Sequence, residues 1–231
     1  MIGNKKVNEK AKSDKNFVSV LIDESGSMNS IRDDVIEGFN AFLAELQEDS
    51  SAEDTNFSLV TFDSRAYSVR MDNVPLRNVR QLNYSTYNPR AQTPLYDAIG
   101  RTIKLMEAAV EDIPEPDVVI SIYTDGLENA SNAYTREEIL NLITEKQAEG
   151  WTFTYLATGH DAWAVATDIG FRKGDAAQFE RTKEGIKRSW DASSKAILSR
   201  RAIANPHLRK TRNFFQGEVD SSDGKILRKS R

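Results

Sequence analysis

The sequence predicts an α/β fold built around a mostly parallel, doubly wound sheet. Two runs, FVSVLI at 17–22 and VVISIY at 118–123, are apolar without the alternation of a half-exposed strand, which is typical of central parallel strands covered on both faces. Segments with the 3.6-residue spacing of an amphipathic helix alternate with such runs along 16–203. This alternation indicates an α/β domain with helices on both faces of the sheet.

The first predicted elements after the opening strand are a helix and a hairpin. Apolar residues from Ile31 to Leu46 recur on one helical face. FSLVTF at 57–62 and AYSVRM at 66–71 are separated by only three residues, so we expect a hairpin whose second strand is an antiparallel edge.

The next segments begin with a loop. Residues 72–93 contain few apolar side chains, and we expect a long loop there. A helix is predicted over 94–110, with Thr93 as its N-cap and Pro94 at its first position.

The second half of the domain is predicted to contain three more helices and two more strands. Thr135 and Glu138 have the spacing of a capping box, and that helix should end near Gly150. The remaining elements are expected as a strand at 151–157, a helix at 161–170, a short strand at 177–180 and a helix at 182–203.

Charge divides the chain into three parts. Residues 1–15 hold five Lys against two acids, and we interpret them as a disordered basic arm. Residues 16–203 form the predicted domain. Residues 204–231 are basic and poor in apolar residues, so we expect a flexible extension without a core of its own that could take an anionic partner, either nucleic acid or an acidic protein. In that reading, Phe214 and Phe215 would contact bases.

The composition excludes several classes of function. The chain has no Cys and only two His, which removes disulfides, thiolate zinc sites and a Cys nucleophile. No phosphate-binding glycine loop and no nucleophile–base pair is evident, so we expect a protein that is not an enzyme. There is no apolar stretch of membrane-spanning length and no secretory leader pattern, and we expect a cytoplasmic protein.

Three polar loops are predicted to meet at one edge of the sheet. They are DESGSMNS after the first strand, NPRAQTP before the 94–110 helix and TDGLENAS after the strand at 118–123, and ligands of open α/β sheets bind at this carboxyl edge. Their hydroxyl and carboxylate oxygens suit Mg²⁺, with Mn²⁺ or Ca²⁺ as alternatives. The candidate ligands are Asp23, Ser25, Ser27, Thr93 and Asp125.

Each loop also has a purely structural interpretation. The stretch from Asp23 to Ser27 could be a turn followed by a helix cap, Thr93 could act only as an N-cap, and Asp125-Gly126 could be an ordinary turn. Only the joint occurrence of all three favours a metal site.

DESGS fits D-x-S-x-S, and together with Thr93 in QTPLYDAIG and Asp125 in TDG it resembles the metal-ion-dependent adhesion site (MIDAS) of von Willebrand factor type A (VWA) domains. The resemblance spans about 16–203, and the PLYDAIG segment is similar to that of small bacterial or phage-encoded members. It implies a six-stranded, mostly parallel sheet with one antiparallel edge strand. It also implies a cation whose coordination is completed by an Asp or Glu carboxylate of a protein partner.

Other residues of the same loops are candidates for contact with that partner. They are expected around the rim of the metal site, where a partner would be recognised: Glu24, Tyr84, Tyr87, Arg90, Glu128 and His160. The leading hypothesis is thus a metal-dependent protein-binding module. A nucleic-acid-binding protein acting through the basic tail and a metal-dependent phosphohydrolase are the alternatives.

Overall fold

The computed structural model describes residues 15–159, 162–220 and 223–227. In these residues the chain alternates strands with helices, as the sequence pattern predicts. The elements are β1 (Asn16–Asp23), α1 (Arg32–Glu48), β2 (Thr55–Phe62), β3 (Tyr67–Pro75), α2 (Leu95–Val110), β4 (Asp117–Thr124), α3 (Arg136–Ala148), β5 (Thr152–Thr158), α4 (Ala162–Asp168), β6 (Ala176–Phe179), α5 (Lys183–Arg201) and α6 (Pro206–Thr211).

The strands form one sheet in the order β3-β2-β1-β4-β5-β6. All neighbouring pairs are parallel except β2 and β3, which form the predicted antiparallel hairpin. The fold class predicted from the sequence, a mostly parallel six-stranded sheet with one antiparallel edge strand, is confirmed. Because the parallel strands run in one direction, the ends of β1, β2, β4, β5 and β6 meet at a single edge of the sheet, which we call the carboxyl edge.

Helices cover both faces of the sheet, and the central strands are buried accordingly. Val20 and Ile22 of β1 pack in the cluster that contains α1 and α5, whereas Leu21 packs in the cluster that contains α2 and α3. Alternate residues of one strand thus enter opposite cores, which explains why the run reads as apolar throughout. Close packing of α1 on α5 depends on Gly38, since a Cβ there would lie 2.2 Å from the Trp190 ring.

The start of α2 and the end of β3 differ from the sequence predictions. Helix α2 begins at Leu95 after Pro94, and no side-chain cap is present, so Thr93 is not the N-cap. β3 continues to Pro75 and shortens the predicted 72–93 loop. The capping box of Thr135 and Glu138 is present as predicted.

The basic extension differs from the prediction that it lacks a core. Phe214 and Phe215 are 7% and 0% exposed and belong to the same core cluster as α1 and α5. Arg209 of α6 pairs with Asp117 at the start of β4. Two aromatic side chains and a buried ion pair therefore dock the segment, despite its low apolar content. The two rings are inside the protein and are not presented to nucleic-acid bases.

The predicted disordered arm, apart from Lys15, and the tail residues 221–222 and 228–231 lie outside the described residues. Among the helices that are described, none combines the length and the apolar character needed to cross a membrane.

Candidate metal centre

The candidate ligands lie at the carboxyl edge between β1 and β4. The chain passes from β1 to β2, which pairs with one side of β1. The next parallel strand, β4, pairs with the other side of β1. The order of the strands therefore reverses here, and open α/β sheets bind ligands at such switch points.

Asp23 forms the buried base of the site. Its Oδ1 accepts a hydrogen bond from Ser25 N at 2.7 Å, and its Oδ2 accepts one from the Thr124 hydroxyl at 2.6 Å. The Tyr87 hydroxyl donates to the Asp23 carbonyl oxygen at 2.8 Å. Burial raises the pKa of Asp23 to about 6, because hydrogen bonds from neutral donors offset only part of the desolvation of the carboxylate. A cation at this carboxylate would supply the charge that these donors lack.

Ser25, Ser27 and Asp125 form a continuous row of oxygen atoms above that base. The two Ser hydroxyl oxygens are 3.1 Å apart, and the Ser27 hydroxyl donates to Asp125 Oδ1 at 2.6 Å. The side chain of Asp125 is fully buried. The structure thus brings the DESGS loop and the loop after β4 into direct contact, as the sequence predicts.

Thr93, from the loop before α2, completes the group of candidate ligands. Its N–H donates to Asn129 Oδ1 at 2.9 Å, and its carbonyl oxygen accepts from Asn129 N at 3.1 Å. A Cβ on Gly126 would lie 3.1 Å from Thr93 Oγ1 and 3.6 Å from both Asp23 Oδ2 and Ser27 Oγ. Oxygen atoms of Asp23, Ser27 and Thr93 therefore surround one small space beside Gly126 of the loop after β4.

The donor set fits a hard divalent cation. It combines two carboxylates with three neutral hydroxyls, and oxygen ligands of this kind suit Mg²⁺ and Ca²⁺. In the part of the chain that the structure describes, no group of three or more His, Cys, Asp and Glu side chains is arranged around a metal position. The candidate site accordingly depends on hydroxyl oxygens as well as carboxylates.

The predicted rim residues lie in different environments, and two predictions are wrong. Tyr87 is fully buried beneath Asp23, and Glu24 is 2% exposed, accepts from Asn88 N and pairs with Arg70 at 3.2 Å. Both side chains stabilise the DESGS loop from within the protein, so neither can line the exposed rim of the metal site. The main-chain bonds that join residues 24–26 to residues 90–91 explain this burial, because they draw the long loop over the DESGS turn.

The other rim candidates are closer to the surface. Arg90 is exposed but pairs with Asp63 at 2.8 Å, and the half-buried Glu128 accepts from Tyr96 N at 3.0 Å. The Tyr84 side chain is exposed. His160 lies outside the described residues.

Two contributors to the site were missed by sequence reasoning. Thr124 precedes Asp125 and holds Asp23, and Arg181 lies 2.8 Å from Asp125 Oδ2. Arg181 could have been found from its position, because it follows the last parallel strand and so lies at the carboxyl edge.

A polar cavity adjoins the candidate metal centre on the side of the β2–β3 hairpin. It has a volume of about 410 Å³ and is lined partly by Arg65, Tyr67, Pro94, Asp97 and Arg101. Asp97 accepts main-chain N–H donors from the loop after β4. Asp63 also lines the cavity, so its two arginines face two aspartates, and neither arginine makes an ion pair with any residue in the described ranges.

No protein-family model and no curated protein sequence matches the chain. Among solved structures, the pilus adhesin SpaC from Lactobacillus rhamnosus GG is similar over 80% of this chain and 30% of its own, with 14% identity and a TM-score of 0.61. Proximal thread matrix protein 1 from the mussel byssus, in a form with a zinc-occupied MIDAS motif, is similar over 79% of this chain and 45% of its own, with 14% identity and a TM-score of 0.54.

The SpRpn10 VWA domain is similar over 77% of this chain and 94% of its own, with 11% identity and a TM-score of 0.51. The chain therefore spans well under two thirds of the adhesin and of the mussel protein, but corresponds to nearly the whole of the isolated VWA domain. At these identities the likeness establishes the fold alone, and that fold is VWA-like.

Proposed function

We propose that the protein is a non-enzymatic, divalent-metal-dependent protein-binding module that acts in the cytoplasm. The observation that carries the proposal is the convergence of three loops on the space beside Gly126. The residues that would hold Mg²⁺ there, directly or through water, are Asp23, Ser25, Ser27, Thr93 and Asp125. When bound, the cation would supply a Lewis-acidic position for a carboxylate of the partner.

The chain's own residues would orient the ligands rather than react. Thr124 and the Ser25 N–H fix the two oxygens of Asp23, and Ser27 fixes one oxygen of Asp125. Two carboxylates balance the charge of a divalent cation, and the hydroxyls add none. An Asp or Glu of a partner would therefore meet a site that is not saturated with negative charge, in contrast to a cage with several acids.

The adjoining cavity favours an acidic partner segment. Arg65 and Arg101 are exposed, and the Arg101 guanidinium lies 5.8 Å from the centre of the Tyr67 ring. Residues flanking the partner's metal-bound carboxylate would pass over this surface, where a second acid would be within reach of the two exposed arginines. Complementary charge of this kind contributes to partner selection and to the association rate.

Calorimetric titration with Mg²⁺ alone tests the metal site. Thr93→Val removes the hydroxyl while keeping the shape of the side chain, and we expect a loss of Mg²⁺ affinity of about tenfold or more for one missing ligand. Thr152→Val is the matched control, because the Thr152 hydroxyl is buried without a hydrogen-bond partner at the opposite edge of the sheet. Equal effects of the two substitutions would contradict the assignment.

A second measurement tests whether the metal keeps an open position. In protein loaded with Mn²⁺, ¹³C-labelled acetate should show paramagnetic relaxation of its carboxyl carbon, which disappears in Thr93→Val or on chelation. Metal binding without acetate access would indicate a closed structural site and would refute the adhesion-type mechanism.

A further inference from the structure

Arg181 reaches the candidate ligands from the end of β6. It lies between Phe179, the last residue of β6, and Lys183, the first residue of α5. One terminal nitrogen lies 2.8 Å from Asp125 Oδ2, donates to Ser30 Oγ at 2.8 Å, and donates to the Ser27 carbonyl oxygen. A guanidinium of the chain itself is thus placed on a carboxylate that the proposed function gives to the metal.

The two oxygens of Asp125 are held differently. Ser27 donates to Oδ1, whereas Oδ2 is buried without a hydrogen bond and has only the charge of the Arg181 guanidinium beside it, at 2.8 Å. A divalent cation that coordinates Asp125 at about 2.0–2.6 Å must lie where the guanidinium would repel it. The two cations therefore cannot both occupy close positions on this carboxylate.

Movement of the Arg181 side chain is compatible with the packing around it. Its side chain is 40% exposed, so a swing toward solvent needs no opening of the core. The main chain on either side is held independently, because the Thr182 hydroxyl caps α5 through Gly185 N and Glu180 pairs with Arg188. The guanidinium can leave while its loop stays in place.

We propose that Arg181 is an internal cation that competes with the divalent metal for Asp125 and so sets the metal affinity of the site. This inference rests on the proposed metal site and adds a residue that the VWA resemblance does not supply. In one state Asp125 pairs with Arg181. In the other it binds the metal, and the guanidinium is released to solvent.

Metal affinity is the first test, with Mg²⁺ alone and Mn²⁺ alone as titrants of the full chain. Arg181 and Asp125 form a close ion pair, so removal of the guanidinium charge removes a competitor of the metal for this carboxylate. Arg181→Gln should therefore bind either metal about tenfold to a hundredfold more tightly than wild type. Arg136→Gln is the matched control, because Arg136 is a half-exposed arginine whose partner, Asp168, lies at the surface away from the site, and it should bind as wild type does.

Thermal unfolding in EDTA separates competition from simple charge repulsion. If Arg181 pairs with Asp125 when no metal is present, Arg181→Gln should unfold at a lower temperature than wild type in EDTA, and saturating Mg²⁺ should remove or reverse the difference. Repulsion alone would leave the EDTA transition unchanged, and that result would overturn the proposal.

The outcomes of the titration also distinguish this inference from the function on which it rests. Equal or weaker metal binding by Arg181→Gln would overturn competition and leave the metal site standing. Failure of both wild type and Arg181→Gln to bind Mg²⁺ or Mn²⁺ would overturn the metal site and the competition together.

Discussion

The two ends of β4 carry buried acids with opposite kinds of partner. At its first residue, Asp117 pairs with Arg200 at 2.6 Å and Arg209 at 3.2 Å, and all three side chains are nearly fully buried. Directly after its last residue, Asp125 is held by a serine hydroxyl and by a single arginine that is 40% exposed. Asp117 is saturated by positive charge from its own chain, whereas Asp125 can exchange its partner.

This difference indicates that Asp117 has a structural role, whereas Asp125 is suited to bind a ligand. A buried carboxylate with two guanidinium partners holds elements together, here β4, α5 and the C-terminal segment. A buried carboxylate held by one hydroxyl and one partly exposed arginine can instead bind a cation from solution.

Removal of the charge at the amino end of β4 should be the most destabilising change. Asp117→Asn leaves two buried guanidinium groups without their carboxylate, and loss of one partner from a buried ion pair costs about 3–5 kcal/mol of unfolding free energy. Urea denaturation measures the loss.

Asp168→Asn provides the exposed counterpart, because its pair with Arg136 lies at the surface. It should change stability by less than about 1 kcal/mol. Similar costs for Asp117→Asn and Asp168→Asn would remove the distinction between the two ends of the strand.

Mg²⁺ should stabilise the folded protein through the carboxyl edge. At a Mg²⁺ concentration of 100 times its Kd, binding to the native state alone adds about 2.7 kcal/mol to the unfolding free energy. Asp23→Asn should fold and lose this increment, since the amide keeps the size of the side chain but removes the buried charge. An equal increment in Asp23→Asn would place the metal elsewhere.

Arg70→Met should lower stability without changing metal affinity. Glu24 is buried and pairs with Arg70, whose side chain is 27% exposed, and a hydrogen bond to a charged group contributes about 1.5–3 kcal/mol. The expected result is a shifted urea midpoint with an unchanged Mg²⁺ titration. A changed Mg²⁺ affinity would mean that Glu24 takes part in the metal site after all.

Gly126→Ala should have the smallest effect on folding and a selective effect on binding. The new methyl group would enter the space beside Thr93 Oγ1, and we expect Mg²⁺ to bind about tenfold more weakly, which corresponds to about 1.4 kcal/mol. The unfolding free energy in EDTA is the internal control and should stay close to the wild-type value. Unchanged Mg²⁺ affinity would contradict the position given to the metal.

The C-terminal segment illustrates how sequence reasoning can fail when contacts are sparse. Its apolar content is low, so it was predicted to be flexible, yet Phe215 is fully buried and Arg209 reaches the first residue of β4. A few buried side chains dock this segment without a periodic apolar face. No local pattern in the sequence marks such contacts.

The sequence by itself determined the strands, their direction and the three loops that supply Asp23, Thr93 and Asp125. Apolar runs and helical spacing are local signals, and parallel strands necessarily bring their carboxyl ends to one edge. The tertiary structure alone decided that Tyr87 lies beneath the site rather than on its rim, and that Arg181 lies on Asp125. Those outcomes depend on how side chains from distant segments pack. Position after β6 places Arg181 at the carboxyl edge but does not select Asp125 as its partner.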